Sequence, residues 1–141
     1  MSPNVRQVDR LNEQQTGQLC DLYQNEWWSK GRSRDDVQVM LANSGIVIGF
    51  VDGADRLVGF CRVLTDFVYR ATIYDVIVAE AWRGQGLGRR LIDAVLDDSR
   101  LQRISRIGLF CLPELESFYE KWGFAAVPKD RVWMERSQRE G

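Results

Sequence analysis

The chain has 141 residues, a length that suits one domain spanning 1–141, and its 19 Lys and Arg nearly balance 20 Asp and Glu. That balance gives no general electrostatic reason to bind nucleic acid or an acidic membrane, so only a local basic patch could hold an anion. The chain contains no histidine, which excludes His-based triads, His-Glu-x-x-His zinc sites and imidazole acid–base catalysis.

Other classes fall away for similar reasons. The three cysteines, Cys20, Cys61 and Cys111, form no Cys-x-x-Cys pair and are odd in number, so neither a disulfide framework nor a metal site is expected. No window approaches the roughly 18 consecutive apolar residues of a membrane span. The N-terminal Met1-Ser2-Pro3-Asn4-Val5-Arg6 lacks the apolar stretch of a signal peptide, and a cytoplasmic location follows as the default expectation.

A short strand is expected around Arg6 to Val8, followed by a helix over Asn12 to Trp27 on which Leu19, Leu22, Tyr23 and Trp27 recur near helical spacing. Asn12 suits the N-cap, with Gln15 three residues on completing a capping box. A second helix starts at Ser33, with Asp35 and Asp36 in its first turn, and ends at Asn43-Ser44-Gly45. Ile46 to Val51 and Leu57 to Leu64 then read as an antiparallel hairpin around Asp52-Gly53-Ala54-Asp55. Ala71 to Val78 is a third strand, and its near-continuous apolar character suggests the centre of a sheet. A Gly-rich loop leads into a helix from about Gly86 to Asp98, and Ile104 to Cys111 reads as another strand. A short helix begins near Pro113 and stops at Gly123, and Phe124 to Val127 with Val132 to Glu135 read as closing strands. The order is β-α-α-β-β-β-α-β-α-β-β: an α/β (α+β) fold with a mixed, mostly antiparallel sheet of six to seven strands and about four helices.

The loop carries the chemistry. A helix N-terminus presents unsatisfied amides and the positive end of the macrodipole. Glycines at 84, 86 and 88 let ligand oxygens reach those amides, and Arg83, Arg89 and Arg90 add positive charge. A P-loop would need Gly-Lys-Ser/Thr where Gly88-Arg89-Arg90 stands, and a Rossmann fingerprint would need glycine at Arg89. The pattern that fits is Arg/Gln-x-x-Gly-x-Gly/Ala, here Arg83-Gly84-Gln85-Gly86-Leu87-Gly88.

With Val76-Ile77-Val78-Ala79-Glu80-Ala81-Trp82 before the loop and Phe118-Tyr119-Glu120-Lys121-Trp122-Gly123-Phe124 after it, the sequence resembles the GNAT superfamily of N-acetyltransferases over nearly its whole length. The resemblance implies an acetyl-CoA-dependent transfer of an acetyl group to a primary amine of a small molecule or protein, with no metal. It implies that pyrophosphate binds the loop at Arg83, Gly84, Gln85, Gly86, Leu87, Gly88 and Arg89. The pantetheine arm would run along Val76, Ile77 and Val78 like an added strand, and an amide near Val76 would polarise the acetyl carbonyl. Tyr119 matches the general acid for the departing thiolate. The base is Asp75, Asp66 or a water relay. Asp75 is expected to share a strand face with Ile73 and Ile77, an apolar setting that raises a carboxyl pKa. Trp27, Trp28, Arg32, Arg34, Tyr69 and Arg70 are the residues to watch on the acceptor side, and a homodimer through the closing strands is an inference from family analogy. The competing reading is a catalytically inactive acyl-CoA-binding or regulatory module.

Overall fold

A computed structural model describes residues 3–127 and 131–139. Its framework is a five-stranded sheet in the order β1-β2-β3-β4-β5. The strands are β1 (Arg6–Val8), β2 (Ile46–Val51), β3 (Leu57–Thr65), β4 (Arg70–Val78) and β5 (Arg106–Leu109). The first four are antiparallel in succession, and β5 lies parallel to β4.

Two helices, α1 (Glu13–Gln24) and α2 (Arg34–Ala42), cover one face. The capping box forms as expected: Gln15 N–H donates to Asn12 Oδ1 at 2.8 Å, and Asn12 N–H donates to Gln15 Oε1 at 3.0 Å. Ser33 caps α2 through its hydroxyl, which accepts from Asp36 N–H at 3.1 Å. Leu19, Tyr23 and Val37 pack here against Val51, Leu57, Phe60 and Ile77. Helix α1 ends three residues before Trp27, whose side chain stands 77 % exposed, so Trp27 belongs to no core.

The other face carries α3 (Leu87–Leu96) and the five-residue α4 (Glu116–Glu120). Leu87, Leu91, Ile92 and Val95 of α3 bury against Ile46, Ile48, Cys61, Val63 and Ile73. Such burial stabilises by about 1.5–3 kcal/mol per large aliphatic side chain.

The sheet is smaller than its sequence suggests. Residues 124–127 and 132–135 form no strands, and no strand lies beyond β5 among the described residues. The four residues of β5 offer little edge to pair with, and Val132, Trp133 and Met134 all remain exposed. The Trp133 ring stands 5.7 Å from the ring of Phe110, the residue just after β5. Their apolar residues read as closing strands but find no strand partner among the described residues. Among the described residues no helix is long and apolar enough to cross a membrane.

Candidate functional site

The site is built where β4 departs from regular pairing. Phe60 pairs with Ile77 and Arg62 with Tyr74, so Asp75 and Val76 together oppose the single residue Cys61. This is a β-bulge, and Asp75 occupies it with φ +57°, a left-handed conformation that Asp tolerates better than most residues. The extra residue reverses the alternation. Ile73 faces the α3 core and Ile77 the α1–α2 core, although four residues of regular strand would leave both on one face.

The bulge corrects the expectation for Asp75. Its carboxylate enters no apolar pocket. Instead Oδ2 accepts from Tyr23 Oη at 2.9 Å, Arg32 Nη1 at 2.8 Å and Arg62 Nε at 2.8 Å. The side chain is only 5 % exposed, and burial alone would raise its pKa. The bonds and charge of Arg62, then Arg32, outweigh burial and hold the carboxyl below its usual value. A carboxylate committed to two guanidinium groups is a poor proton acceptor. Burial, then Asp75, pushes the Tyr23 hydroxyl far above its ordinary pKa, so Tyr23 stays protonated as a donor.

Asp66 is no better as a base. Its exposed carboxylate accepts from the amides of Val68, Tyr69 and Arg70 at 2.7–3.1 Å, which lowers its pKa and closes the β3–β4 turn.

Of the residues expected on the acceptor side, Trp28 and Arg32 join the Asp75 cluster. The Arg32 guanidinium stacks 4.7 Å from the Tyr23 ring centre and 5.5 Å from that of Trp28. Arg34 bonds the Glu13 carbonyl, while Arg70 and Tyr69 lie at the β3–β4 turn beside Ser105. The sequence reading missed Arg62, Tyr74 and the polar role of Tyr23. Arg62 carried a signal, being the one charged residue within the apolar run Leu57 to Leu64. Its guanidinium lies 5.1 Å from the Tyr74 ring centre.

On the far side of β4 an edge is open. Strand β5 pairs with β4 from Arg70 to Ile73, leaving Tyr74 to Val78 without a strand neighbour there among the described residues. Ala79 N–H donates to Val58 in β3 at 2.8 Å, so strand alternation turns the backbone of Val78 and Val76 toward the open edge.

The Gly-rich loop follows directly. Gly84 (φ +77°) and Gly86 (φ +84°) both take left-handed conformations, and Gly86 is the N-cap of α3. Arg83 N–H donates to Glu80 and Arg90 N–H to Gly86, but no amide from Gly84 through Arg89 donates to another described group. Six successive amides are thus free at the positive end of a helix. Arg89 is exposed beside them and pairs with no described side chain. The Arg83 guanidinium turns away, Nε donating to the Val78 carbonyl at 3.1 Å and Nη2 to Glu26 Oε1 at 2.9 Å.

Tyr119 reaches the same region from the opposite face of the sheet to Asp75, packed with Phe118, Trp122 and Phe124. Its hydroxyl makes no hydrogen bond among the described residues. Burial, then the neighbouring Cys111 and Cys61, raises its pKa and keeps it protonated. Cys61, opposite the bulge, is pushed up to about 12 by burial and then by Asp75. It therefore behaves as a neutral spacer between the two candidate groups.

Known proteins resemble this chain in sequence and in fold. The family model described as "Acetyltransferase (GNAT) family" matches residues 8–124. An uncharacterized N-acetyltransferase, ycf52, of Pyropia yezoensis is 36% identical over 132 residues, covering 89% of this chain and 74% of that protein. Serotonin N-acetyltransferase 2, chloroplastic, of Oryza sativa subsp. japonica is 37% identical over 75 residues, which is 53% of this chain and 38% of that protein. A crystal structure of a Xanthomonas campestris pv. campestris protein assigned to the GNAT family superposes with a TM-score of 0.85 at 28% identity, covering 97% of this chain and 95% of that one.

Proposed function

Because the chain belongs to the GNAT acetyltransferase family, we propose that it moves an acetyl group from acetyl-CoA to a primary amine of a small molecule or protein by direct attack in a ternary complex. The observation that carries this reading is the run of six undonated amides from Gly84 through Arg89, opening directly off the unpaired edge of β4. A pyrophosphate needs several converging N–H donors and a helix dipole, and this turn has both. The left-handed φ of Gly84 and Gly86 aims those amides outward, a conformation that L side chains rarely adopt. The residues present fit the group.

When bound, acetyl-CoA supplies the thioester-activated acetyl group. Val76 and Val78 would hold its pantetheine arm by backbone hydrogen bonds, as an added strand is held. Arg83 already occupies the Val78 carbonyl, so that part of the edge is shared with the loop's own side chain. The bulge leaves the Val76 amide free of regular pairing, and we assign it the role of oxyanion donor. Tyr119 acts as general acid, since its hydroxyl is protonated and uncommitted.

Neither Asp75 nor Asp66 serves as base. An ammonium with a pKa of about 10 has no lone pair at neutral pH. Asp75 is committed to Arg32 and Arg62 and Asp66 to three turn amides, so water takes the proton.

The test is calorimetry with coenzyme A beside a thiol-release assay over a panel of primary amines. Micromolar coenzyme binding with amine-dependent thiol release is expected. Binding without release from any amine would make the protein an acyl-CoA-binding module, and absence of binding would overturn the loop assignment.

A further inference from the structure

The Asp75 cluster holds more donors than its one carboxylate can use. Arg32 engages Asp75 through Nη1 and Arg62 through Nε. Arg32 Nε and Nη2 and both Nη groups of Arg62 donate to nothing among the described residues. The Arg62 side chain is only 12 % exposed and that of Arg32 is 32 % exposed, so both guanidinium groups line a partly sheltered surface. These nitrogens keep access to solvent and so to a ligand, and two positive charges against one negative leave an excess of one. Glu26, the nearest acidic residue on the connection that carries Arg32, is taken by Arg83. The walls are aromatic: Tyr23 and Trp28 flank Arg32, and Tyr74 underlies Arg62.

We infer that the acceptor is an amine that also carries a carboxylate, bound by the free nitrogens of Arg32 and Arg62, with an apolar or aromatic body against Trp28 and Tyr74. The planar fork of arginine matches a carboxylate in two parallel bonds, and a single added negative charge neutralises the cluster. Asp75 is the positioning residue that keeps both guanidinium groups at the bulge. Arg32, the more exposed of the two, sets specificity. The inference rests on reading the bulge as the point of acetyl transfer, and it separates this chain from an acceptor such as serotonin, which has an amine and an aromatic body but no carboxylate.

Binding of the acetylated products tests it without requiring turnover. N-acetyltryptophan and N-acetyltryptamine differ by the carboxylate alone. Calorimetry is run with each, with and without saturating coenzyme A, on the wild type, Arg32→Gln and Arg32→Lys. We expect the carboxylated probe to bind at least tenfold tighter to the wild type. The preference should fall to within about twofold in Arg32→Gln and to an intermediate value in Arg32→Lys, which keeps the charge but loses the fork. Equal affinities in the wild type, tighter binding of N-acetyltryptamine, or binding of neither probe would overturn the inference. So would a preference that survives Arg32→Gln unchanged. Failure of coenzyme A itself to bind is a separate result in the same titrations and bears on the loop.

Discussion

Arg83 and Glu26, separated by most of the sheet in sequence, meet at 2.9 Å, so the first residue of the Gly-rich loop is tied to the segment after α1. That segment also delivers Arg32 to Asp75 at 2.8 Å. The connection between α1 and α2 is therefore pinned twice, once to the Gly-rich loop and once to the bulge. The Glu26 pair is half-exposed, and such pairs contribute about 0–1 kcal/mol. Glu26→Gln should accordingly raise the acceptor KM by less than about fivefold, with most of the effect lost in high salt. Steady-state kinetics across a salt series would show it.

The Asp75 pair is of another order. Removing the partner of buried charges costs about 3–5 kcal/mol, and the partial exposure of Arg32 favours the low end for Asp75→Ala. The pH dependence follows from the depressed carboxyl. The unfolded state binds a proton near pH 4 and the folded state only lower, so the stabilisation is complete above about pH 4. It is lost as pH falls through the folded value. Urea titrations at pH 7 and pH 3 should show a large Asp75→Ala deficit at the first and a smaller one at the second. Between pH 6 and 9 Asp75 should contribute no step to the rate profile.

The geometry of the Gly-rich loop was legible in the sequence, because its backbone is dictated locally by glycines and helix start signals. The capping residues Asn12, Gln15 and Ser33 were legible for the same reason. The surroundings of Asp75 were not. Strand alternation placed it between Ile73 and Ile77, but one inserted residue turned it to the α1–α2 face, and nothing in the run Ile73-Tyr74-Asp75-Val76-Ile77 announces a bulge. Its partners Tyr23, Arg32 and Arg62 come from three distant elements, a long-range relation that local periodicity cannot express. The closing strands failed from the other direction, since the apolar run Val132 to Met134 says nothing about whether an edge is there to receive it.

The loop glycines should behave unequally. Gly86 has φ +84°, where a non-Gly residue costs about 1–2 kcal/mol, and Gly86→Val adds bulk in front of the free amides. Coenzyme A affinity should fall at least a hundredfold by calorimetry. Gly88 has no such φ, and a Cβ there meets only Phe118 Cζ at 3.9 Å, an ordinary contact. Gly88→Ala should keep its thermal midpoint within about 2 °C and lose less than tenfold in affinity. Equal losses in both variants would mean that the loop's left-handed turns are not what aims the amides.

Tyr119 offers the cleanest separation of chemistry from structure. Its ring is part of the α3–α4 core, touching Phe118, Trp122 and Phe124, whereas its hydroxyl bonds nothing among the described residues. Tyr119→Phe keeps the ring and strands no partner, so stability should change by less than about 0.5 kcal/mol. Loss of a positioned general acid lowers turnover by about a hundredfold or more. The expected signature is thus a collapse of kcat with coenzyme A affinity and thermal midpoint nearly unchanged. The loss should shrink when the leaving group is made less basic, because a thiolate of low pKa needs no proton to depart. A variant that turns over at the wild-type rate would return Tyr119 to the core as packing alone.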